Sequence, residues 1–134
     1  MLHLVVDGAN VVGSRPDGWW RDRAGAARRL AARLVAALDE PAALAAALGG
    51  APDADLRAHL VLEGAARAVD LPGHPALAVV RAPTDGDAAV AELAVTLPGD
   101  VVVVTADRAL RARVTAVGAA VTGPGALLAA LPDG

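Results

Sequence analysis

The 134-residue sequence has no cysteine, phenylalanine or tyrosine, and Trp19 and Trp20 are its only large aromatic side chains. The absence of cysteine excludes disulfides and thiolate metal sites, and it is typical of proteins in a reducing cytoplasm. Apolar residues make up 55% of the chain, so a sizeable core is available, but alanine, valine and leucine must build it. The length suits a single domain over residues 1–134.

The sequence also lacks lysine and an excess of positive charge. Its net charge of −3 argues against bulk electrostatic binding of nucleic acid. No apolar run reaches the roughly 18 residues of a membrane span, and Asp7 comes too early for a signal peptide. We therefore expect a cytoplasmic protein without a membrane segment. Half of the twelve arginines nevertheless lie close together in the first quarter of the chain: Arg15, Arg21, Arg23, Arg28, Arg29 and Arg33.

Short apolar runs alternate with segments of helical periodicity along the chain. This alternation predicts an α/β fold of three layers, with a mostly parallel five-stranded sheet between two layers of helices. The stretches 13–20 and 65–75 are expected to be loops, and the path of residues 39–57 is the least determined. Strands are expected at 2–6, 59–64, 76–83, 101–107 and 119–125, and helices at 22–38, 41–48, 87–97, 108–118 and 126–132.

Carboxylates stand where the predicted strands end. Asp7, Glu63 and Asp107 close the first, second and fourth strands, and Asp87 begins the helix after the third. The carboxyl ends of parallel strands form the ligand-binding edge of such folds, so we expect these four side chains to share one rim. Each also has a simpler explanation, because Asp87 and Asp107 suit helix caps, and Asp7 and Glu63 suit turns.

Three or four carboxylates at one rim repel one another unless a cation neutralises them. Hard oxygen ligands favour Mg²⁺ or Mn²⁺, and such an ion polarises a phosphodiester and activates a bound water. The pattern therefore predicts metal-dependent phosphodiester hydrolysis. Asp85 and Thr105 are secondary candidates near the same edge, whereas Glu92 is expected to be solvated.

Several segments resemble the NYN branch of the PIN-like nucleases, and specifically the bacterial YacP-like group. They are VVDGANVVG (5–13), VLEG (61–64), GDAAVAEL (86–93) and VVVTADRALRARV (102–114), together with the arginine-rich stretch 16–34. The resemblance covers most of the chain outside residues 39–57. It implies a sheet with strand order 3-2-1-4-5 and the activity of a metal-dependent ribonuclease.

The resemblance also implies roles for individual residues. Asp7, Asp87 and Asp107 would hold the metal, and Asn10 would position Asp7 or the substrate. Glu63 joins this set as a fourth candidate ligand from the same rim. Two departures bear on activity, because Ala88 stands where the family often has a second acid, and Glu63 stands where the shorter Asp is common.

Phosphate contacts are predicted for Arg15, Arg21, Arg28 and Arg108, which lie near the first strand's loop or directly after Asp107. Asn10 and the arginines also have simpler explanations, as a partner of the loop backbone and as a solvated helix face. In the functional interpretation, Trp19 or Trp20 stacks on an unpaired base. In the structural interpretation, one of the two packs into the core.

Two other functions remain open. A non-catalytic RNA- or protein-binding module would keep the fold without the chemistry, and Ala88 motivates that alternative. A small phosphatase or nucleotide hydrolase is less favoured, and no Walker or GxGxxG motif supports a nucleotide cofactor. The small-residue surface leaves room for a homodimer interface. The histidines show no metal-ligand spacing and are expected to be structural: His3, His59 and His74.

Overall fold

A computed structural model describes residues 1–50 and 55–133 of the chain. Its strands form one sheet in the order β3-β2-β1-β4-β5, and every neighbouring pair is parallel. This confirms the predicted α/β architecture and the strand order that the resemblance implies. The strands are β1 (Leu2–Asp7), β2 (Leu56–Leu62), β3 (Leu77–Arg81), β4 (Asp100–Val104) and β5 (Ala120–Thr122).

Helices connect the strands and cover both faces of the sheet. Short 3₁₀ turns lie at Trp19–Arg21 and Gly64–Ala66, each overlapping one of the segments predicted to be loops, 13–20 and 65–75. No helix in the part of the chain that the structure describes combines the length and the apolar character needed to cross a membrane. The helices are α1 (Gly8–Gly13), α2 (Arg23–Leu38), α3 (Pro41–Ala47), α4 (Gly86–Thr96), α5 (Arg108–Ala116) and α6 (Pro124–Ala130).

Helix α1 is the main element that the sequence pattern does not predict. It follows β1 without a loop, and its six residues are too few to show a helical period. The expected strands also shift, since β1 extends to Asp7, β2 begins at Leu56 rather than His59, and β3, β4 and β5 are shorter than predicted. Helix α3 confirms the helix expected at 41–48, and residues 51–54 of the least determined path lie outside the described residues.

The two faces of the central strand β1 enter different halves of the core. Leu4 and Val6 pack into the cluster that includes α2 and α6, whereas Val5 packs into the cluster of α4 and α5. Side chains two positions apart share a face, so Asp7 leaves the strand on the same side as Val5. The carboxylate that ends β1 therefore emerges at the carboxyl end of the sheet, on the α4 and α5 side.

Candidate active site at the carboxyl ends of the strands

Asp7 is the most buried of the predicted site residues, with only 3% of its surface exposed. It caps α1, since its Oδ1 accepts a hydrogen bond from the Asn10 backbone N at 3.4 Å. Its Oδ2 accepts one from Thr105 Oγ1 at 3.0 Å. Burial raises the pKa of Asp7 to about 6, and the nearby charges of Asp87 and Glu63 add to that rise against the two hydrogen bonds. The ionised form of Asp7 is therefore disfavoured, and a cation bound beside it would stabilise that form.

Gly8 explains why the chain can turn from β1 into α1 directly after Asp7. A Cβ on this residue would lie 2.5 Å from the Val61 carbonyl oxygen, closer than real Cβ atoms come. The first turn of α1 can therefore rest against the end of β2 only because residue 8 is glycine. This contact places Asp7, the N-cap of α1, beside the end of β2.

The loop after β4 is held by side chains from two helices. Asn10 Oδ1 accepts a hydrogen bond from Ala106 N at 2.8 Å, which confirms the simpler expectation that Asn10 binds loop backbone. Arg111 Nε donates to the Thr105 carbonyl at 2.7 Å. The Thr105 hydroxyl, which is fully buried, accepts from Asp107 N at 3.2 Å. The backbone that carries Asp107 is thereby fixed relative to Asp7.

Helix α5 is capped by Asp107, and helix α4 is capped by Asp85 rather than by Asp87. Asp107 Oδ1 accepts from Leu110 N at 3.0 Å, and Asp85 Oδ1 accepts from Ala88 N at 3.0 Å. The expectation that Asp87 caps its helix is therefore wrong, because the helix begins at Gly86 and the cap precedes it. Asp87 lies in the first turn, and its carboxylate has no hydrogen bond within residues 1–50 and 55–133.

The remaining carboxylates lie close enough to Asp87 to affect its ionisation. Burial is the main cause that raises the pKa of Asp87, followed by the negative charges of Asp107, Asp85 and Glu63. Arg113 acts in the opposite direction and lowers that pKa. The predicted acids all follow the carboxyl ends of parallel strands, at the end of β1, after β2 and at the starts of α4 and α5. We call this side of the sheet the carboxylate edge: Asp7, Glu63, Asp87 and Asp107.

Glu63 approaches this edge from β2. It follows the last residue of the strand, and a Cβ on Gly86 would lie 3.0 Å from its Oε1. The Glu63 carboxylate therefore rests beside the first residue of α4, next to Asp87. Glu92, on the same helix as Asp87, is exposed, which confirms that it is a solvated residue.

The carboxylate edge matches Mg²⁺ or Mn²⁺ in donor chemistry, since every candidate ligand is a hard oxygen. Across the described ranges, however, no group of three or more Asp, Glu, His or Cys side chains is arranged to hold one ion. One oxygen of Asp107 and one of Asp7 accept a hydrogen bond from a backbone N–H, whereas Glu63 and Asp87 accept none from the residues that the structure describes.

The arginines predicted to bind phosphate are all exposed: Arg15, Arg21, Arg28 and Arg108. Arg108 begins α5 directly after Asp107, and the Arg21 guanidinium lies over the Trp20 ring at 5.8 Å. The pattern overlooked Arg111 and Arg113, which follow Arg108 on α5. Arg111 is three positions after Arg108 and so lies on the same side of the helix, which was the available signal for that residue. No signal in the sequence pointed to Arg113.

Neither tryptophan belongs to the core, so the structural interpretation of that pair is wrong. Trp20 is 52% exposed, and Trp19 is half-buried with its ring edge-to-face against Trp20 at a centroid distance of 6.0 Å. Trp19 and Arg23 instead line a cavity of about 180 Å³ that also touches Glu63. Arg23 belongs to the arginine cluster of the first quarter of the chain, but the sequence did not predict a binding role for it.

The histidines lie away from the carboxylate edge. His3 Nδ1 and His59 Nε2 are 2.9 Å apart across β1 and β2, and both residues are buried. Burial lowers the pKa of both rings, and that of His59 falls to about 4. His3 precedes Asp7 by four strand positions, which is roughly 13 Å. His74 pairs with Asp39 at 3.0 Å.

With this geometry established, comparison with known proteins identifies the fold. The chain matches a solved structure of Rae1 (YacP) from Bacillus subtilis, determined on a single-substitution variant, with a TM-score of 0.59. This chain shares the fold of Rae1. The match covers 96% of this chain and 74% of the Rae1 chain at 19% sequence identity. No protein-family model and no curated protein matches the sequence. The likeness to Rae1 thus establishes the architecture, and the chemistry rests on the residues of this chain.

Proposed function

We propose that the protein is a divalent-metal-dependent ribonuclease that hydrolyses phosphodiester bonds at the carboxylate edge. The observation that carries the proposal is the buried Asp7 carboxylate, whose pKa is raised to about 6 and which faces the charges of Asp87 and Glu63. The Rae1 fold and the resemblance of the motifs to the YacP-like nucleases support the same activity.

The metal-binding residues in this proposal are Asp7, Asp87 and Asp107, with Glu63 as a fourth candidate. When bound, Mg²⁺ or Mn²⁺ supplies Lewis acidity at the phosphate and lowers the pKa of a coordinated water. The mutual effects of these carboxylates on pKa support such a site, because a cation offsets their repulsion.

The chain's own side chains orient the reacting groups. Thr105 holds Oδ2 of Asp7 in place, and Asn10 holds the loop that carries Asp107. Arg108 and Arg113 lie on α5 beside the carboxylates and offer positive charge to an RNA backbone. The other arginines proposed from the sequence to bind phosphate lie between the end of α1 and the first half of α2: Arg15, Arg21 and Arg28.

Cleavage of a labelled single-stranded RNA tests the proposal. We expect cleavage with Mn²⁺ or Mg²⁺, none in EDTA, and a loss of at least about 100-fold in Asp7→Asn. Asp70→Asn is the matched control, since Asp70 is exposed and its side chain makes no hydrogen bond across the described ranges. Cleavage that persists in EDTA and in Asp7→Asn would rule out the proposed chemistry.

A non-catalytic RNA- or protein-binding module is the second candidate. The observation that favours it is the lack of a three-donor group in the described residues, together with Ala88 in the place of a second acid. RNA binding without cleavage, and no stabilisation by Mn²⁺, would support it. In that case Ala88→Asp should create Mn²⁺ binding that the natural chain lacks, since Ala88 is exposed beside Asp87.

A further inference from the structure

A small cavity adjoins the carboxylate edge on the side of α2. It has a volume of about 180 Å³ and shares Glu63 with the edge, and Gly8 in its wall directly follows Asp7. We call it the Trp19 cavity. The side chains that shape it are Ala9, Val12, Trp19, Arg23, Leu62 and Glu63.

The backbone that carries the Trp19 ring is held by local contacts. Trp19 N donates to Asp17 Oδ1 at 3.2 Å, and Gly18 before it adopts a positive φ of 80°, which starts the 3₁₀ turn. A Cβ on Gly13 would lie 3.6 Å from the ring, in ordinary contact with it. Because this backbone is already ordered, packing a ligand on the ring costs little additional conformational entropy of the protein.

Arg23 gives the Trp19 cavity a charged margin. Its guanidinium carbon lies over the Trp19 ring at 5.5 Å, and no carboxylate in the described part of the chain pairs with it. Aromatic rings and guanidinium planes are both surfaces on which nucleic-acid bases stack, and the guanidinium also attracts phosphate. Leu62 and Val12 supply the apolar part of the wall.

We propose that the Trp19 cavity takes the base of an unpaired nucleotide whose neighbouring phosphate lies at the carboxylate edge. This inference rests on the proposed ribonuclease function and specifies its substrate class as single-stranded RNA. The cavity is smaller than the roughly 300 Å³ of the smallest drug-sized pockets, which suits one base. A base in a duplex is stacked and paired, so it would have to leave the helix to enter.

Equilibrium binding of a fluorescein-labelled octanucleotide RNA, measured by anisotropy in EDTA, tests the inference without any cleavage. Trp19→Ala should weaken binding about 5- to 100-fold, the range that loss of one stacked base produces. Val117→Ala is the control, because Val117 is an exposed apolar residue at the far end of α5, and it should change binding less than about twofold. A duplex of the same sequence, and an octamer with abasic sugars, should each bind at least about fivefold more weakly.

A second variant guards against a folding defect in Trp19→Ala. Ala9→Leu keeps the ring and fills the Trp19 cavity from α1, where Ala9 is exposed at the entrance. It should weaken binding at least about fivefold, whereas Ala116→Leu, on the exposed end of α5, should not. Thermal unfolding of each variant confirms that it is folded.

The outcomes separate this inference from the ribonuclease proposal. Binding that is equal in the natural chain, Trp19→Ala and Ala9→Leu overturns the base site, as does equal binding of the duplex or the abasic octamer. Cleavage of RNA together with that result would leave the ribonuclease standing. Trp19-dependent binding without cleavage in Mn²⁺ would keep the base site and reject the ribonuclease.

Discussion

Thr105 Oγ1 donates a hydrogen bond to Asp7 Oδ2 at 3.0 Å and so joins β1 to the loop after β4 across 98 positions of sequence. The same hydroxyl accepts from Asp107 N at 3.2 Å. One buried side chain therefore orients two of the carboxylates proposed to hold the metal.

Thr105→Val should loosen the carboxylate edge while keeping the shape of the side chain. It removes one donor and one acceptor from a buried site, which should lower the free energy of unfolding by about 1–3 kcal/mol. It should also raise the pKa of Asp7 further, because the bond from Thr105 lowers that pKa. Urea unfolding and the pH profile of RNA cleavage measure these effects. Thr105→Ser should restore both, and equal behaviour of the two variants would contradict the assignment.

Asp7→Asn should stabilise the metal-free protein at neutral pH. The pKa of Asp7 is about 6 in the folded chain against an ordinary value of 3.8, so the folded chain binds more protons between these values. Stability is therefore lost as pH rises through this window, by as much as about 3 kcal/mol. After allowance for an altered hydrogen bond, we expect a gain of about 1–2 kcal/mol at pH 7.5 in EDTA. Asp70→Asn should show no gain in the same urea titration.

Mn²⁺ should make the natural protein more stable than Asp7→Asn, which is the reverse of their order of stability in EDTA. An ion that binds only the folded chain adds about 2.7 kcal/mol at a concentration 100 times its Kd. The natural protein should thus gain several degrees in Tm with Mn²⁺, whereas Asp7→Asn should not, since a ligand is missing. A thermal shift series in Mn²⁺ and EDTA measures this. Equal shifts in both proteins would place the ion elsewhere.

Acid should destabilise the protein through the buried His3–His59 contact. The pKa of His59 is about 4 in the folded chain against 6.5 ordinarily, so the unfolded chain binds more protons between these values. Stability is therefore complete above pH 6.5 and falls as pH decreases toward 4, by up to roughly 3 kcal/mol.

Asp7 changes stability in the opposite direction over much of this range, so the natural protein should show a shallow pH dependence. Asp7→Asn exposes the histidine effect, and its free energy of unfolding should fall by about 2 kcal/mol between pH 6.5 and 4.5. Adding His59→Gln to that variant should flatten the curve. An unchanged slope in the double variant would show that the acid sensitivity lies at other groups.

Gly8→Ala should damage the junction of β1 and α1. Its Cβ would collide with the Val61 carbonyl, and the required backbone shift should cost about 1–3 kcal/mol in urea unfolding. Gly13→Ala, at the other end of the same helix, meets its nearest neighbour at an ordinary 3.6 Å. That control should change stability by less than about 1 kcal/mol. Equal losses of stability in the two variants would show that any added side chain in helix α1, rather than the contact with the Val61 carbonyl, destabilises the protein.

The elements of the fold follow largely from local patterns. Apolar runs such as 101–104 and the helical spacing of 23–38 are visible without tertiary information, and their alternation already predicts a parallel sheet. The placement of Asp7, Glu63 and Asp107 after strands predicts one shared edge, because parallel strands end on the same side. Helix α1 escaped prediction, since six residues that include two glycines carry no measurable period.

The sequence by itself thus determined the five strands, the helices other than α1, and the end of the sheet that carries the acids. Only the tertiary structure decided that Thr105 contacts Asp7, that His3 meets His59, and that Trp19 lines a cavity beside Glu63. These contacts join residues tens of positions apart, and they depend on strand register and on how closely backbones approach. A local pattern fixes the direction of a side chain along its own element, but its partner is set by the packing of another element.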